Sequence, residues 1–178
     1  IDSFDAYPFS IPAVRNLRKL DMESPVTFFV GDNGTGKSTL LEAIAVACGF
    51  NPEGGTRSFH FGTRESHSPL YQYLRITRGT RRPSTGFFLR AESFFNLATE
   101  IENLDKEPSF DRKVVEYYGG TSLHEMSHGE SFWTLLTEKF FGGGLYILDE
   151  PEAALSPSRQ LATLARMDEL VKDGSQFI

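Results

Sequence analysis

Thiols and long apolar segments are both scarce in this chain of 178 residues. Cysteine occurs once, at Cys48, which excludes an internal disulfide framework and a zinc site of four thiolates, and suggests a small packed residue. No apolar run approaches the roughly 20 residues that a membrane-spanning helix needs, and no signal-peptide pattern opens the sequence. We therefore expect a protein of a reducing, cytoplasmic compartment that does not itself insert into a membrane.

Positive charge is also in short supply. Lys and Arg number 18 against 24 Asp and Glu, and the formal net charge is −6. This balance disfavours a generally basic surface that coats nucleic acid, but it is compatible with a local basic patch. The histidines lack the spacing of a metal site, which disfavours zinc. They are His60, His67, His124 and His128.

A long coiled coil is excluded by the short interval 94–126. Its helical pattern covers only Leu97–Leu104, whereas heptads of a long coiled coil would continue over many turns. We expect a short helical lobe in this interval.

What the chain does contain is a complete G-x-x-x-x-G-K-[ST] motif at Gly31–Thr39. A β-branched and aromatic run at Val26–Val30 precedes it, and an apolar helical pattern at Thr39–Cys48 follows and stops at Gly49. Glycines let the backbone N–H groups turn toward phosphate oxygens, and the start of a helix adds positive potential. The motif therefore predicts a phosphate-binding loop between a strand and a helix.

The residues of this loop have separate predicted roles. Lys37 would reach the β- and γ-phosphates, and Ser38 would bind Mg²⁺. The predicted nucleotide-binding residues of the loop are Asn33, Gly34, Thr35, Gly36, Lys37, Ser38 and Thr39. Taken alone, the loop would suit a kinase, a GTPase or many other enzymes.

A second motif is the apolar run Leu145–Glu150, which ends in two acids. Such a run is typical of a buried strand in a parallel sheet, whose carboxyl end faces the ligand crevice. Asp149 is the candidate magnesium ligand beside Ser38, directly or through water. Glu150 is the candidate general base for a water that attacks the γ-phosphate. The alternative is a pair of strand-end acids that only stabilise a helix start or the surface.

Two further segments resemble motifs of the ABC-class ATPases. Ser127–Ser131 (S-H-G-E-S) resembles their signature motif, and Glu150–Ser156 resembles the Walker B glutamate that leads into the D-loop. With the phosphate loop and the Leu145–Glu150 strand, these motifs follow the order of that class. The likeness is to soluble predicted ATPases with an SMC-like head, since transporter subunits carry a larger helical lobe.

The signature-like segment departs from the family pattern at two positions. Met126 stands where leucine is usual, and His128 stands where the first glycine is usual. The resemblance implies that Ser127 and Gly129 contact the nucleotide of a second copy of the chain. The alternative is that Ser127 only caps a helix over 130–140.

The family's Q-loop falls after the strand predicted to end near Arg90, but no glutamine occurs there. Glu92 is interpreted as its replacement at Mg²⁺, with an ordinary acid that opens the next helix as the alternative. The family's switch histidine should follow a strand that begins at about Gln176, and we expect that the sequence ends too early to show it.

The resemblance implies an α/β fold of the P-loop NTPase type. Its mostly parallel central sheet would be flanked by helices, with an antiparallel N-terminal β edge at Tyr7–Val14 and a reduced helical lobe at 94–126. We expect residues 1–178 to form a single ABC-type ATPase domain with a truncated C-terminal end. Phe9 or Arg15 would contact the adenine or, alternatively, pack in the core.

The implied function is hydrolysis of Mg-ATP in a nucleotide-sandwiched homodimer, with Glu150 and Lys37 as catalytic residues. Ser38, Asp149 and Glu92 would hold the metal. One alternative is an ATP-dependent dimerisation switch with little turnover, acting in nucleic-acid maintenance or defence. A transporter ATPase subunit is a further alternative.

The stretch 66–91 contains arginines but no acid, which suggests a contact surface for a nucleic acid or an acidic protein. The alternative is an exposed hairpin of Tyr71–Arg78 and Gly86–Arg90 with arginines facing solvent. The arginines are Arg75, Arg78, Arg81, Arg82 and Arg90. Asn51–Arg64 is predicted to be a mobile loop beside the nucleotide.

Overall fold

The computed structural model describes residues 4–58, 67–92, 94–106 and 112–178. The helices are α1 (Pro12–Arg15), α2 (Lys37–Ala47), α3 (Phe94–Lys106), α4 (His128–Glu138) and α5 (Pro157–Lys172). The strands are β1 (Thr85–Arg90), β2 (Gly144–Asp149) and β3 (Gln176–Phe177). Short 3₁₀ helices occupy Pro69–Tyr73, Val114–Tyr118 and Pro151–Ala154. The described ranges therefore form an α/β fold, as the sequence predicts.

The strands form a parallel sheet in the order β1-β2-β3. All residues of β2 are buried, which confirms the strand expected from its continuous apolar pattern. Arg90, the last residue of β1, lies opposite Asp149, the last residue of β2. The register thus brings the carboxyl ends of two strands, and these two side chains, to one edge of the sheet.

Helices cover both faces of the sheet because successive strand side chains point to opposite sides. Phe87 and Tyr146 belong to an apolar cluster with α3, α4 and α5. Phe88 and Ile147 belong to a second cluster, which includes α2. The helix that follows the phosphate loop is therefore packed directly against β2.

Several predicted elements are confirmed with small changes of boundary. The helix after the loop begins at Lys37 rather than Thr39 and ends at Ala47, with Cys48 buried at its C-cap. The pattern at Leu97–Leu104 lies inside α3. The helix expected over 130–140 begins two residues earlier and also ends two residues earlier.

The strand predicted at Val26–Val30 does not form. Val26 makes one parallel bridge with Phe177, and the N–H of Thr27 donates to the carbonyl of Phe177 at 3.0 Å. Beyond that point Phe28 is 69% exposed and Val30 is 93% exposed. A strand needs a hydrogen-bonded neighbour along its length, and only the first residues of this segment pair with β3.

The antiparallel N-terminal edge predicted at Tyr7–Val14 is also wrong. These residues form turns that lead into α1, and the N–H of Arg15 donates to the carbonyl of Ile11 at 2.8 Å. Pro12 occupies the first helical position, where its fixed φ favours a helix and its missing N–H costs little.

The predicted hairpin of Tyr71–Arg78 with Gly86–Arg90 is replaced by other structure. Residues 69–73 form a 3₁₀ helix, residues 74–79 have no regular structure, and β1 pairs in parallel with β2. Part of the predicted mobile loop, Gly55, instead makes an antiparallel bridge with Phe88. Residues 59–64 of that loop and residues 107–111 of the helical lobe lie outside the described residues.

Across the described ranges, no helix combines the length and the apolar character that a membrane crossing requires.

Replacement of Ile147 by alanine should destabilise the protein by about 2–5 kcal/mol, because it leaves a cavity beneath α2 in the middle of β2. Ile147 is 0% exposed, whereas Leu161 on α5 is 69% exposed. Urea denaturation of Ile147→Ala and of the control Leu161→Ala measures the difference. Equal stabilities of the two variants would contradict this description of the core.

Candidate functional site

The phosphate loop has a backbone shape that two of its glycines make possible. Gly34 and Gly36 have φ values of 79° and 98°, in the left-handed region that disfavours other residues. A Cβ atom at Gly36 would also lie 2.6 Å from Cγ2 of Ile11. The hydroxyl of Thr35 donates to the carbonyl of Asp32 at 2.8 Å and closes the turn. The loop thus has a defined shape that leads directly into α2.

Lys37, the first residue of α2, folds back over the loop. Its Nζ donates to the carbonyls of Gly31 at 2.7 Å and of Asp32 at 3.0 Å. In the described part of the chain no carboxylate forms an ion pair with this ammonium group. The positive charge is therefore positioned by carbonyls and is not neutralised by an acid.

Ser38 and Asp149 bring the two sequence motifs into contact. The hydroxyl of Ser38 donates to Oδ1 of Asp149 at 2.9 Å. Asp149 is only 5% exposed, and burial raises the pKa of its carboxyl group. The Ser38 hydrogen bond and the nearby Arg90 act in the opposite direction. Both oxygen groups lie where the start of α2 meets the carboxyl end of β2.

These oxygens are of the kind that a hard divalent cation prefers. No group of three or more His, Cys, Asp or Glu side chains within the described ranges could hold a metal by itself. Ser38 and Asp149 therefore fit Mg²⁺, which usually keeps several waters and takes further ligands from phosphate, and do not fit an all-protein metal cage.

Glu150 follows Asp149 with an unusual backbone. Its φ of 54° is the only positive value for a residue other than glycine in the described ranges. Left-handed backbone at such a residue is a form of strain that is frequent at functional sites. The carbonyl of Glu150 accepts from the N–H of Ala153 at 3.2 Å, and the side chain is exposed. The strand thus turns abruptly and presents an acid to solvent.

A cleft of about 510 Å³ joins the phosphate loop to the end of β2. Its lining includes Lys37 from the loop and Asp149 and Glu150 from the strand motif. A smaller cavity of about 170 Å³ lies on the other side of Glu150 and is also lined by His128. Neither Ser127 nor Gly129 lines the cleft, so the structure separates the signature-like segment from the loop.

Ser127 caps α4, as the capping alternative predicts. Its Oγ accepts from the N–H of Glu130 at 3.3 Å, and Oε2 of Glu130 accepts from the N–H of Ser127 at 3.0 Å. The hydroxyl and the N–H of Ser127 both donate to the carboxylate of Glu130, and these two bonds lower the pKa of Glu130. The carbonyl of Gly129 accepts from Nη1 of Arg159 on α5 at 2.5 Å. The segment Ser127–Gly129 is therefore held by the capping bonds at the start of α4 and by Arg159 of α5.

Glu92 is well exposed, and the only ion pair found for it within the described ranges is with Arg90. Its Oε2 lies 3.4 Å from Nη2 of Arg90. The interpretation of Arg90 as a solvent-facing arginine is wrong, because its side chain is 17% exposed and lies between acids. It contacts Glu42 at 2.6 Å and approaches Asp149 to 3.7 Å.

Sequence patterns did not identify two other residues near the site, Glu42 and Tyr7. Glu42 gives the one available signal, since it is an acid inside the apolar helix α2. The hydroxyl of Tyr7 lies 3.4 Å from Oγ1 of Thr39, a contact that no pattern foretells. The ring of Phe9 lies edge-on to that of Tyr73, with 4.9 Å between the centroids, and Phe9 also packs against the apolar cluster that includes α2, which favours the core alternative for Phe9.

A comparison with protein families finds one match. A family model described as an AAA domain matches residues 3–130, more than half of the chain. This range contains the phosphate loop and β1 and ends in the first turn of α4. No curated protein and no solved structure matches the chain significantly.

Asp149→Asn should be more stable than the wild type at pH 7 without metal, and this gain should disappear near pH 4. A raised native pKa means that the native state binds the proton more tightly, so the free energy of unfolding falls as pH rises from about 3.9 through the native pKa. Asparagine removes this dependence. Urea denaturation in EDTA at both pH values provides the measurement. A less stable variant at pH 7 would show that attraction to Ser38 and Arg90 outweighs burial.

Proposed function

This chain belongs to the AAA domain family, and we propose from that premise that it binds Mg-ATP in the cleft between Gly31–Thr39 and β2 and hydrolyses it. The family consists of P-loop ATPases, so it indicates nucleotide-dependent ATPase activity. The observation that carries the proposal is the hydrogen bond of 2.9 Å between Ser38 and Asp149. In this bond the loop hydroxyl that we propose as a metal ligand lies beside a strand-end aspartate, an arrangement that supports phosphoryl-transfer chemistry.

The loop would hold the phosphate chain by its backbone N–H groups and by Lys37. An incoming phosphate would replace the carbonyls of Gly31 and Asp32 as partners of the ammonium group, which already lies at the loop. The residues proposed for this role are Asn33, Gly34, Thr35, Gly36, Lys37, Ser38 and Thr39. The exposed ring of Tyr7, next to Thr39, is a further candidate for contact with the base.

Ser38 and Asp149 would hold Mg²⁺, and Glu92 would supply a further oxygen from the loop after β1. When bound, the cation supplies charge neutralisation for the phosphates. The residues of this chain do the positioning: Ser38 is fixed by its place at the start of α2, and Asp149 by its place in the buried strand.

Glu150 would orient and deprotonate the attacking water. A general base must lie within reach of the water, and the carboxylate of Glu150 is exposed beside Asp149 and lines the cleft. Glu150 lines both the main cleft and the cavity that His128 also lines, which supports a role at the edge of the site where a second copy of the chain would bind.

The site would be completed by a second copy of the chain. Ser127 and Gly129 do not line the cleft of their own chain, and the N-terminus of α4 has the donors that suit a γ-phosphate. This separation supports an ABC-type arrangement, in which residues 1–178 act as one ATPase domain of a head-to-tail homodimer. A cytoplasmic location, where ATP is available, forms part of the proposal.

A switch with little turnover is the second candidate. The hydroxyl of Ser127 donates to Oε2 of Glu130 at 2.6 Å. A phosphate that approached Ser127 would therefore meet a carboxylate, which favours weak closure and slow hydrolysis.

Glu150→Gln should retain ATP binding but lose at least a hundredfold in turnover, since a general base contributes about 10²–10⁴-fold. Glu169→Gln, an exposed acid on α5 outside the lining of the cleft, is the control and should hydrolyse ATP normally. Phosphate release and light scattering with and without ATP measure both activity and dimerisation. Normal hydrolysis by Glu150→Gln would remove this residue from its role, and a monomer in saturating ATP would reject the composite site.

Two substitutions of Ser127 separate capping from nucleotide contact. Ser127→Ala should destabilise α4 by about 1 kcal/mol through loss of the cap. Ser127→Asp keeps a good capping residue but adds a negative charge, so it should keep most of the stability and lose ATP-dependent dimerisation. Thermal unfolding and light scattering test both variants. Normal dimerisation of Ser127→Asp would show that Ser127 acts only as a cap.

A further inference from the structure

A single guanidinium group lies among three carboxylates at the carboxyl edge of the sheet. Arg90 contacts Glu42 through Nη1 at 2.6 Å and Glu92 through Nη2 at 3.4 Å. Its Nε lies 3.7 Å from Oδ2 of Asp149. The three acids come from α2, from the loop after β1 and from the end of β2.

Because most of this cluster is buried, its stability depends on each charge having a partner of opposite sign. The side chains of Arg90, Glu42 and Asp149 are 17%, 10% and 7% exposed. A buried charge without a partner is strongly unfavourable, so the two buried acids depend on the one cation. Three acids and one arginine carry a formal charge of −2, which is equal in magnitude and opposite in sign to the charge of a divalent cation.

The contacts of Arg90 are unequal. Glu42 is itself fixed, because its Oε1 accepts from the N–H of Ser68 at 2.9 Å while its Oε2 holds the guanidinium. Nη1 of Arg90 also donates to the carbonyl of Pro52 at 3.4 Å. By contrast, Nε is buried without a hydrogen-bond partner, since Oδ2 of Asp149 is beyond bonding distance. The arginine is anchored on the α2 side and only approaches the aspartate.

We propose that Arg90 is a positioning residue that competes with the divalent cation for Asp149, and that Glu42 holds it back so that the cation can enter. This inference rests on the proposed function, because it concerns the same metal site. Without a cation, the guanidinium partly neutralises Asp149. When a cation approaches, the guanidinium repels it unless the ion pair with Glu42 keeps Arg90 away from Asp149.

Glu42→Gln tests whether the ion pair with Glu42 keeps Arg90 away from Asp149. Glutamine can still accept from the N–H of Ser68, but it no longer neutralises Arg90, which should move onto Asp149. Binding of Mn²⁺ to the full chain in the presence of ADP, measured by electron paramagnetic resonance, should weaken at least tenfold. Glu169→Gln is the control, because it breaks a more exposed ion pair, with Arg166 on α5, and should leave Mn²⁺ binding unchanged.

The double substitution Glu42→Gln with Arg90→Met removes the buried ion pair between Glu42 and Arg90 as a whole, and it leaves Asp149, with its Ser38 hydrogen bond, as the buried acid that the cation meets. It should bind Mn²⁺ at least as tightly as the wild type and at least tenfold more tightly than Glu42→Gln alone. It also provides a folded test protein if the single substitution destabilises the chain. Urea denaturation accompanies each binding measurement.

Mn²⁺ affinities within threefold of the wild type in both variants, with changed stability alone, would overturn the inference and make Arg90 purely structural. In that case the metal site of the wild type would stand. If the wild type binds no Mn²⁺ with ADP, the metal site of the proposed function fails and the inference fails with it.

Discussion

The contact between Ser38 and Asp149 is the constraint on which the rest of the site depends. It joins residues that are 111 positions apart in the chain and lie in different structural elements. The contact can form because α2 packs on one face of β2, so the first turn of the helix reaches the end of the strand. A shift of the strand by one residue would reverse the faces of its side chains and move Asp149 away from Ser38.

The ionised carboxylate of Asp149 is destabilised by burial, and neighbouring groups reduce that destabilisation. Asp149 is buried at the end of a strand, where desolvation disfavours its ionised form. Arg90 and the Ser38 hydroxyl both favour the charged form. Because the parallel register places Arg90 opposite Asp149, the same backbone pairing that builds the sheet also supplies the compensating charge.

Local patterns in the sequence were sufficient for the elements that carry their own signals. The buried strand β2 and the helix after the loop follow from continuous apolar runs and from glycine positions, and their boundaries shift by at most two residues. The proximity of Ser38 to Asp149 follows from the motifs together. The roles assigned to these residues, and the extent of the domain, remain predictions.

Elements that depend on distant neighbours were not predictable in the same way. Val26–Val30 has the composition of a strand, but only its first residue pairs with β3. Tyr7–Val14 contains prolines that suit an edge strand, and Pro12 instead begins a helix. Arg90 belongs to a run of arginines that suggests a surface, and only the fold shows that acids from two other elements surround it.

At Glu150 the left-handed backbone conformation favours glycine, whereas the proposed chemistry needs a carboxylate side chain. Glycine would adopt this geometry most easily, but it has no side chain with which to do chemistry. Selection for stability alone would therefore favour glycine at this position, whereas the catalytic role proposed for Glu150 would require an acid in an unfavourable conformation. If Glu150 has the role proposed for it, drift at this position would lead toward a more stable protein that binds nucleotide without hydrolysing it.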